Sequence, residues 1–334
     1  MIAVTGATGL VGSALVRRLT APHTNGNTGA PRTVVRAVVR RGRDTSSISG
    51  LAEIVEGDIE DVDSLLRAFR GAEVVFHLAG EVSISTRGFE ALYRTNVQGT
   101  KNVIEACKRA GVGRLVYTSS VHALVEPPPG TCLDETSPVD PKLTIGPYAK
   151  TKAEATQLVL AAAHDGLDTV VTYPSGIVGP YDFRPSRLGQ VIISCVKRRL
   201  GAYVDGGYDF VDSRDVAEGL VAAARRGRTG EGYILCGTMV SVRQLLETVE
   251  AVSGVPAPRL RLNFRFVRSV SRLIPVYYWL TRQMPLFTTY SLDVLQSNCE
   301  MRCDKAKREL GYSPRPFRET IADSVAWFKE RGML

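Results

Sequence analysis

Cysteine is scarce in this chain and is not spaced as a metal ribbon or a disulfide framework requires. Six cysteines occur among the 334 residues, and no two of them form a C-x-x-C pair. This spacing argues against zinc ribbons and disulfide-rich scaffolds. Cys299 and Cys303 are one helical turn apart in sequence, but two thiols without further ligands indicate core residues rather than a zinc site. We predict no metal site and a reducing, cytoplasmic compartment.

Long hydrophobic runs are absent as well. No segment reaches about 18 uninterrupted apolar residues, the length that would predict a transmembrane helix. The first residues, Met-Ile-Ala-Val-Thr-Gly, lack the charged region and the apolar core of a secretory signal peptide. We therefore expect neither a signal peptide nor a transmembrane segment.

The composition is that of an ordinary globular protein with a modest positive charge. Apolar residues make up 44% and charged residues 23% of the chain, which excludes general disorder, collagen and coiled coil. Lys and Arg number 42 against 34 Asp and Glu, a net charge of +8. This balance suits an anionic ligand such as a phosphate-bearing cofactor. No nucleic-acid recognition motif accompanies the charge, so we predict no nucleic-acid partner.

Alternating patterns in the first half of the chain predict a parallel sheet. Short apolar runs, typical of buried strands, are separated by amphipathic stretches. The predicted strands are Ile2–Thr5, Thr33–Val39, Glu53–Val55, Glu73–Leu78, Arg114–Thr118 and Thr169–Tyr173. The predicted helices cover residues 10–20, 61–70, 89–110 and 146–165. Strands that alternate with helices imply βαβ units and a sheet that is covered on both faces.

The pattern becomes irregular after Tyr173. Helices are predicted over residues 186–199, 213–225 and 241–253 (the last capped by Ser241), strands at Asp209–Val211 and Tyr233–Leu235, and two short helices within Asp304–Phe328. We predict an α/β protein. A Rossmann-type doubly wound parallel sheet, formed by residues 1–174 and 207–238, would bind a dinucleotide. A smaller, mostly helical domain, formed by residues 175–206 and 239–334, would bind the substrate.

Three glycines mark the junction of the first strand and the first helix. The segment Val4–Gly12 has the spacing G-x-x-G-x-x-G rather than G-x-G-x-x-G. Glycines in such a turn let backbone N–H groups approach a pyrophosphate, which then faces the positive end of the helix dipole. We predict a dinucleotide-binding turn that includes Gly6, Thr8 and Gly9.

The end of the second strand indicates which cofactor is bound. A carboxylate there hydrogen-bonds the ribose 2′-hydroxyl of NAD, whereas arginine favours the 2′-phosphate of NADP. The strand is followed by Arg40 and Arg41, and the first acid, Asp44, comes only in the loop beyond them. We predict NADP as the cofactor, with NAD as the alternative.

Two further strand ends carry candidate cofactor contacts. Asp58 and Ile59 follow the third strand, and Leu78-Ala79-Gly80 ends the fourth. The Asp58 carboxylate can accept from the adenine amine or cap the helix over residues 61–70, and the sequence leaves both open. The small residues after the fourth strand permit a close approach to the cofactor.

A tyrosine and a lysine share one face of a predicted helix. Tyr148 and Lys152 are spaced i and i+4, about 6 Å apart. A free phenol ionises near pH 10, but a neighbouring ammonium lowers its pKa enough for proton exchange with a carbonyl or alcohol oxygen. Ser120, at the carboxyl end of the fifth strand, can hydrogen-bond the same reacting oxygen. Ser119 is interpreted as a neighbour that caps a turn.

These motifs and several others follow one another in a familiar order. They are Thr5-Gly6-x-x-Gly9-x-x-Gly12, Gly57-Asp58, Leu78-Ala79-Gly80, Asn96-Val97-x-Gly99-Thr100, Thr118-Ser119-Ser120, Tyr148-x-x-x-Lys152, Tyr173-Pro174-Ser175-Gly176 and Phe210-Val211-Asp212-x-x-Asp215. The chain resembles an extended short-chain dehydrogenase/reductase from residue 1 to about 330. Within that superfamily it resembles the bacterial branch related to dihydroflavonol 4-reductase and 3β-hydroxysteroid dehydrogenase.

The resemblance implies a role for each matching residue. Tyr148 would be the acid/base, Lys152 its activator and a ribose ligand, and Ser120 the catalytic hydroxyl. Asn96 would brace the helix behind the site. The implied cofactor contacts are Gly6, Gly9, Leu10 and Val11 at the pyrophosphate and Thr118, Pro174 and Ser175 at the nicotinamide.

Departures from the sugar-converting members indicate the reaction. Dehydratases of the superfamily usually carry Asp-Glu where this chain has Ser119-Ser120, and UDP-sugar epimerases carry an arginine where it has Tyr208. We therefore predict an oxidoreductase that interconverts a carbonyl and a secondary alcohol on a relatively apolar, dihydroflavonol-, ketone- or sterol-like substrate. The alternatives are an NAD-dependent nucleotide-sugar epimerase and a non-catalytic dinucleotide-binding sensor.

The chain also contains two histidines and one aromatic segment outside these motifs. His77 is predicted to be a satisfied core histidine, and His122 a loop residue or a substrate contact. Asn263–Phe287 combines arginines with aromatic residues. It is interpreted, in order of preference, as a helix over the substrate, as domain packing, or as a peripheral membrane contact.

The two helices over residues 89–110 and 146–165 predict a homodimer. Their apolar positions recur on more than one helical face, so a second partner is needed beyond the sheet. These positions are Ala91, Leu92, Val97, Val103, Ile104, Cys107, Leu158, Val159, Ala162 and Ala163. Extended members of the superfamily commonly pair these helices across a two-fold axis. Coverage by the carboxy-terminal helices of the same chain is the alternative.

Overall fold

The computed structural model describes residues 1–22, 34–82, 89–128, 130–264, 267 and 300–334. The strands are β1 (Ile2–Thr5), β2 (Val35–Val39), β3 (Glu53–Glu56), β4 (Val74–His77), β5 (Arg114–Thr118), β6 (Thr169–Pro174), β7 (Gly176–Val178), β8 (Ala202–Val204), β9 (Gly207–Asp212), β10 (Glu231–Leu235), β11 (Thr238–Ser241) and β12 (Leu260–Leu262). The α-helices are α1 (Leu10–Thr20), α2 (Val62–Phe69), α3 (Phe89–Tyr93), α4 (Gly99–Ala110), α5 (Pro147–His164), α6 (Arg187–Val196), α7 (Ser213–Arg226), α8 (Val242–Ser253) and α9 (Phe317–Glu330).

The central sheet has seven parallel strands in the order β10-β6-β5-β4-β1-β2-β3. Helices α1 and α7 pack together as one layer, and α2, α4 and α5 pack side by side as another. Every residue of β6 is buried, as expected for a strand that is covered on both faces. The strand order reverses between β1 and β4, and ligands bind at such a switch point, beyond the carboxyl ends of the strands. The predicted α/β, Rossmann-type fold is confirmed.

A second apolar core lies outside the central sheet. It joins β7, α6, β8, α8 and α9 through a cluster of buried residues. Its members include Ile192, Tyr203, Leu245, Phe317, Trp327 and Phe328. The division into a cofactor domain and a substrate domain, with the boundaries given above, stays a prediction.

The strand predicted at Asp209–Val211 forms part of a separate small sheet. β9 lies between β7, to which it is parallel, and β11, to which it is antiparallel. The Phe210 ring stacks on Phe317 of α9, with ring centroids 6.0 Å apart. This contact ties β9 to the second core, a long-range packing that the local sequence pattern does not carry.

The helix predicted over residues 89–110 contains a π-helical turn at Arg94–Gln98 between α3 and α4. In this turn the Asn96 Oδ1 accepts from the Glu81 N–H at 2.8 Å, and its Nδ2 donates to the Glu81 carbonyl at 3.0 Å. The wider turn aims Asn96 at the backbone beyond β4, and π-turns are frequent at functional sites.

The helix caps correct one prediction and confirm another. α2 is capped by Asp61, whose carboxylate accepts from the N–H groups of Asp63 and Ser64. The proposal that Asp58 caps this helix is therefore wrong. Ser241 caps α8 in a capping box with Gln244, as predicted.

The tail contains the two predicted helical segments around the break at Gly311–Pro314: the π-helical turn Ala306–Leu310 lies before the break, and the continuous helix α9 follows it. Among the described residues, no helix has both the length and the hydropathy of a membrane span. Most of Asn263–Phe287, and Cys299, lie outside the described residues.

Candidate active site

A cavity of about 670 Å³ opens at the switch point of the sheet. It is lined by the β1–α1 turn, by the segments that follow β2, β3 and β4, and by the loop between β7 and α6. The predicted cofactor residues that line it are Gly6, Thr8, Gly9, Leu10, Arg40, Ile59, Leu78, Ala79 and Gly80. Val11, Arg41, Asp58, Asn96, Thr118, Pro174 and Ser175 do not line this cavity. The volume and the elements around it suit a dinucleotide.

The β1–α1 turn is built for the close approach of backbone to a ligand. Gly6 has a φ of 71°, and a Cβ there would lie 2.6 Å from the Ala79 nitrogen. A Cβ on Gly12 would lie 2.1 Å from the Gly6 carbonyl oxygen. Both positions therefore require glycine.

The N-terminus of α1 has no side chain that neutralises it. Among the described residues, no side chain caps this helix at Gly9, and its first turn contains no acidic residue. Its exposed N–H groups and the positive end of its dipole are therefore free to meet an anion. These residues fit the pyrophosphate of a nicotinamide dinucleotide.

Positive charge collects where β2 ends. Arg40 and Arg43 line the cavity together with Arg184, which comes from the β7–α6 loop. Asp44, the acid that could have replaced them as a ribose ligand, accepts instead from the Ser46 N–H at 2.9 Å and the Ser46 hydroxyl at 3.1 Å. These hydrogen bonds lower the pKa of the Asp44 carboxyl.

Lys152 is buried beside the cavity, although neither Lys152 nor Tyr148 is among the residues that line it. Its Nζ donates to the Thr118 carbonyl at 2.8 Å and to the Tyr117 hydroxyl at 3.2 Å. Burial lowers the pKa of Lys152 from 10.5 to about 7. A Cβ on Gly80, which lines the cavity, would lie 3.5 Å from this Nζ. The Lys152 Nζ is thus next to the cofactor cavity. Lys152 lies one helical turn after Tyr148 on α5.

Ser120, rather than Ser119, caps a short turn. The Ser120 Oγ accepts from the His122 N–H at 3.3 Å and starts the 3₁₀ turn Val121–Ala123. The Ser119 hydroxyl is paired with the Thr156 hydroxyl at 2.6 Å. The capping role given to Ser119 is therefore wrong, and the Ser120 hydroxyl keeps its proton for donation to another oxygen.

An aromatic group adjoins the predicted acid/base. The His122 ring contacts the Tyr148 ring edge-on at 6.2 Å and stacks on the Tyr208 ring at 5.8 Å. The His122 Nε2 and the Tyr208 hydroxyl are hydrogen-bonded at 3.0 Å. Burial lowers the pKa of His122 to about 4, so this imidazole is neutral at neutral pH.

Other predicted residues serve mainly the framework. His77 is fully buried between the Thr5 and Thr100 hydroxyls at 2.8 and 3.1 Å, which confirms it as a satisfied core histidine. The Ser175 hydroxyl donates to Asp209. The Thr118 Oγ1 is buried and has no hydrogen-bond partner in the described part of the chain.

The sequence interpretation missed several residues of the cavity. Arg43 lies only three residues after Arg40, and the same charge argument could have included it. Asp182, Phe183, Arg184 and Ser186 carry no local signal, because they reach the cavity only through the packing of the β7–α6 loop.

Comparison with known proteins adds an independent observation. The family model described as the NAD dependent epimerase/dehydratase family matches residues 2–236. The chain belongs to this family. The resemblance to extended short-chain dehydrogenases/reductases is thereby confirmed.

Two relatives and one solved structure match almost the whole chain. Sterol demethylase protein B from Methylococcus capsulatus is 37% identical over 336 residues, covering 99% of each chain. A protein from Synechocystis sp., provisionally named dihydroflavonol 4-reductase, is 36% identical over 346 residues, covering 99% of this chain and 95% of its own. The crystal structure of gox2253 covers 100% of this chain and 99% of its own, with 36% identity and a TM-score of 0.85.

As a member of the family with these relatives, the chain is an NAD(P)-dependent oxidoreductase that acts on a hydroxyl or carbonyl group of a small molecule.

Proposed function

We propose that the protein is an NADP(H)-preferring oxidoreductase that interconverts a ketone and a secondary alcohol on an apolar ring system. One observation carries the proposal: the buried Lys152 lies beside Gly80, which lines the cofactor cavity, and on the same helix as Tyr148. This arrangement supports an acid/base pair next to the nicotinamide end of a bound dinucleotide.

Three side chains have separate roles at the reacting oxygen. In the reducing direction the Tyr148 phenol gives its proton to the carbonyl oxygen, and the Ser120 hydroxyl hydrogen-bonds the same oxygen. A protonated Lys152 favours the phenolate that remains. When bound, the nicotinamide supplies the hydride in this direction and accepts it in the other. Proton transfer of this kind contributes about 10²–10⁴-fold to the rate.

The preference for NADP(H) is supported by the charges at the β2 end of the cavity. Arg40 and Arg43 face the space where the ribose 2′-position lies in this fold. The only acid in this loop, Asp44, is engaged by Ser46. NAD remains the alternative cofactor.

The apolar substrate is supported by the group His122–Tyr208. Tyr208 stands where UDP-sugar epimerases carry an arginine for the diphosphate, and its hydroxyl is hydrogen-bonded to a neutral imidazole. A neutral imidazole and a phenol carry no charge to bind a diphosphate, whereas their rings pack well against fused rings. A sterol-like or dihydroflavonol-like ketone, in line with the names of the two relatives, fits this wall.

The test measures consumption of NADPH with a panel of 3-ketosteroids, dihydroflavonols and aryl ketones, and conversion of UDP-sugars. Tyr148→Phe should lower kcat about 10²–10⁴-fold and leave NADPH binding unchanged, because the ring still packs. Tyr93→Phe is the matched control, since Tyr93 is exposed and its hydroxyl bonds only Glu154 among the contacts described.

Three results would contradict the proposal. If Tyr148→Phe keeps more than about a tenth of the activity, Tyr148 is not the acid/base. If the wild-type protein interconverts UDP-sugars and reduces none of the ketones, it is an epimerase. If it binds NADPH but turns over nothing in either panel, the sensor alternative is the better account.

A further inference from the structure

Three arginines from two parts of the fold meet at one end of the cofactor cavity. Arg40 follows β2, and Arg43 lies in the same loop. Arg184 comes from the β7–α6 loop, which belongs to the second core. All three line the cavity, and Arg43 is close enough to be repelled by both Arg184 and Arg40.

Asp44 is the carboxylate that attracts Arg43 and Arg184, but its oxygens also accept hydrogen bonds from Ser46. None of the three arginines forms an ion pair within the ranges that the structure describes. Glu60, which also lines the cavity, is paired with Arg94 at 3.3 Å. Burial, followed by repulsion from Arg184 and Arg40, lowers the pKa of Arg43. Such a like-charge cluster is stabilised when an anion binds between its members.

The loop that carries Arg184 is held in place before any ligand binds. Tyr181 has a φ of 72°, a strained conformation for a non-glycine residue. The Ser13 hydroxyl of α1 donates to the Tyr181 carbonyl at 3.2 Å. The Arg17 guanidinium lies over the rings of Tyr181 and Phe183, 4.5 and 5.4 Å from their centroids.

A buried carboxylate closes the same loop. Asp182 is 3% exposed and accepts from the Ser186 N–H at 2.8 Å. Residues 182 and 186 are therefore tied together on either side of Arg184. Strain at Tyr181 is offset by these contacts, and the backbone of Arg184 is fixed at the cavity.

We propose that Arg184 is a specificity-determining residue, which binds the 2′-phosphate of NADP(H) together with Arg40 and Arg43. The inference rests on the proposed NADP(H) preference and adds a ligand that the end of β2 does not supply. A phosphate monoester carries nearly two negative charges and accepts bidentate hydrogen bonds from guanidinium groups. Because Arg184 follows Phe183, which packs against the second core, the phosphate would link that core to the Rossmann sheet.

The test uses calorimetric titration of the full-length protein with adenosine 2′,5′-bisphosphate and with AMP, which differ only in the 2′-phosphate. Arg184→Ala should weaken binding of the bisphosphate about tenfold, the loss of one charge-assisted contact, and should change AMP binding less than about twofold. Arg184→Lys should recover only part of the loss, because an ammonium lacks the bidentate fork.

Arg187→Ala is the matched control. Arg187 is exposed, begins α6 three residues after Arg184, and does not line the cavity. Arg187→Ala removes the same charge from the same segment. Binding of both probes should stay within about twofold of wild type if direct contact, rather than net charge, determines affinity.

The outcomes separate this inference from the proposal on which it rests. If the wild type binds both probes equally, the NADP(H) preference fails, and the role of Arg184 fails with it. If the wild type prefers the bisphosphate but Arg184→Ala keeps that preference, only the role of Arg184 is refuted. An equal loss for both probes in Arg184→Ala, or a similar loss in Arg187→Ala, would also refute it.

Discussion

Replacing Lys152 by methionine should stabilise the cofactor-free protein while destroying its activity. Lys152 is 6% exposed, and its Nζ lies beside Gly80 of the cofactor cavity. Burial lowers its pKa from 10.5 to about 7, so the folded chain must give up or bury a charge that the unfolded chain keeps in water. Methionine has nearly the same length and carries no charge.

The size of the effect follows from these two pKa values. Each pKa unit between them corresponds to about 1.4 kcal/mol, so the charge costs about 4–5 kcal/mol of folding free energy at pH 7. The substitution leaves the Thr118 carbonyl without its lysine donor, and an unsatisfied buried acceptor costs about 1–3 kcal/mol. The net result should be a stabilisation of about 1–4 kcal/mol at pH 7.

The pH dependence of the unfolding free energy tests the direction of this effect independently. Between pH 7 and 10.5 the unfolded lysine holds a proton that the folded lysine has lost. The wild-type stability should therefore rise with pH across this window, and Lys152→Met should lack this rise. Urea unfolding of cofactor-stripped protein at pH 7, 8 and 9 measures both the stabilisation and the slope.

The control is Lys150→Met, which removes an exposed lysine from the same helix. It should change neither the stability at pH 7 nor its pH dependence. The reasoning would be refuted if Lys152→Met unfolded with the same pH slope as wild type, or if it lost several kcal/mol of stability at pH 7.

Two further predictions concern the stability at acidic pH and the oligomeric state. Burial lowers the pKa of His77 from 6.5 to about 3 and that of His122 from 6.5 to about 4. Only the unfolded chain takes up their protons as the pH falls below 6.5, so stability should drop from pH 6.5 towards 4. Urea midpoints that stay constant between pH 7 and 5 would contradict this, and His122→Gln should show a shallower decline than wild type. We also predict a homodimer through the helices over residues 89–110 and 146–165. Phe89 is 45% exposed on α3, so Phe89→Glu should shift the mass measured by light scattering to that of a monomer. A wild-type monomer at micromolar concentration with full activity would contradict it.

Most of the apolar helix positions that suggested a dimer are covered within the single chain. Of the ten apolar positions that suggested an uncovered stripe, seven are buried within the single chain. These are Leu92, Val97, Val103, Ile104, Cys107, Val159 and Ala162. The exposed Phe89 and Tyr93 at the start of the first helix are now the better reason to expect a partner.

Features that depend on neighbouring residues along the chain could be predicted from the sequence alone. Parallel strands are buried on both faces, so each appears as a short apolar run, and the runs of the central sheet are found within a residue or two of their predicted bounds. The turn at Gly6–Gly12 is recognisable because its backbone needs glycine locally. Tyr148 and Lys152 could be paired because helical geometry places i and i+4 on one face.

Which distant residues share a site depends on long-range packing. Arg184 lines the same cavity as Arg40 because the strained β7–α6 loop packs on α1, and Tyr208 meets His122 because β9 pairs with β7 instead of joining the central sheet. The low pKa of Lys152 also requires the whole fold, because desolvation depends on what covers a side chain and not on its neighbours in sequence. Local patterns specify elements and turns, whereas contacts between segments far apart in the chain arise from packing, which leaves no periodic signal in either segment.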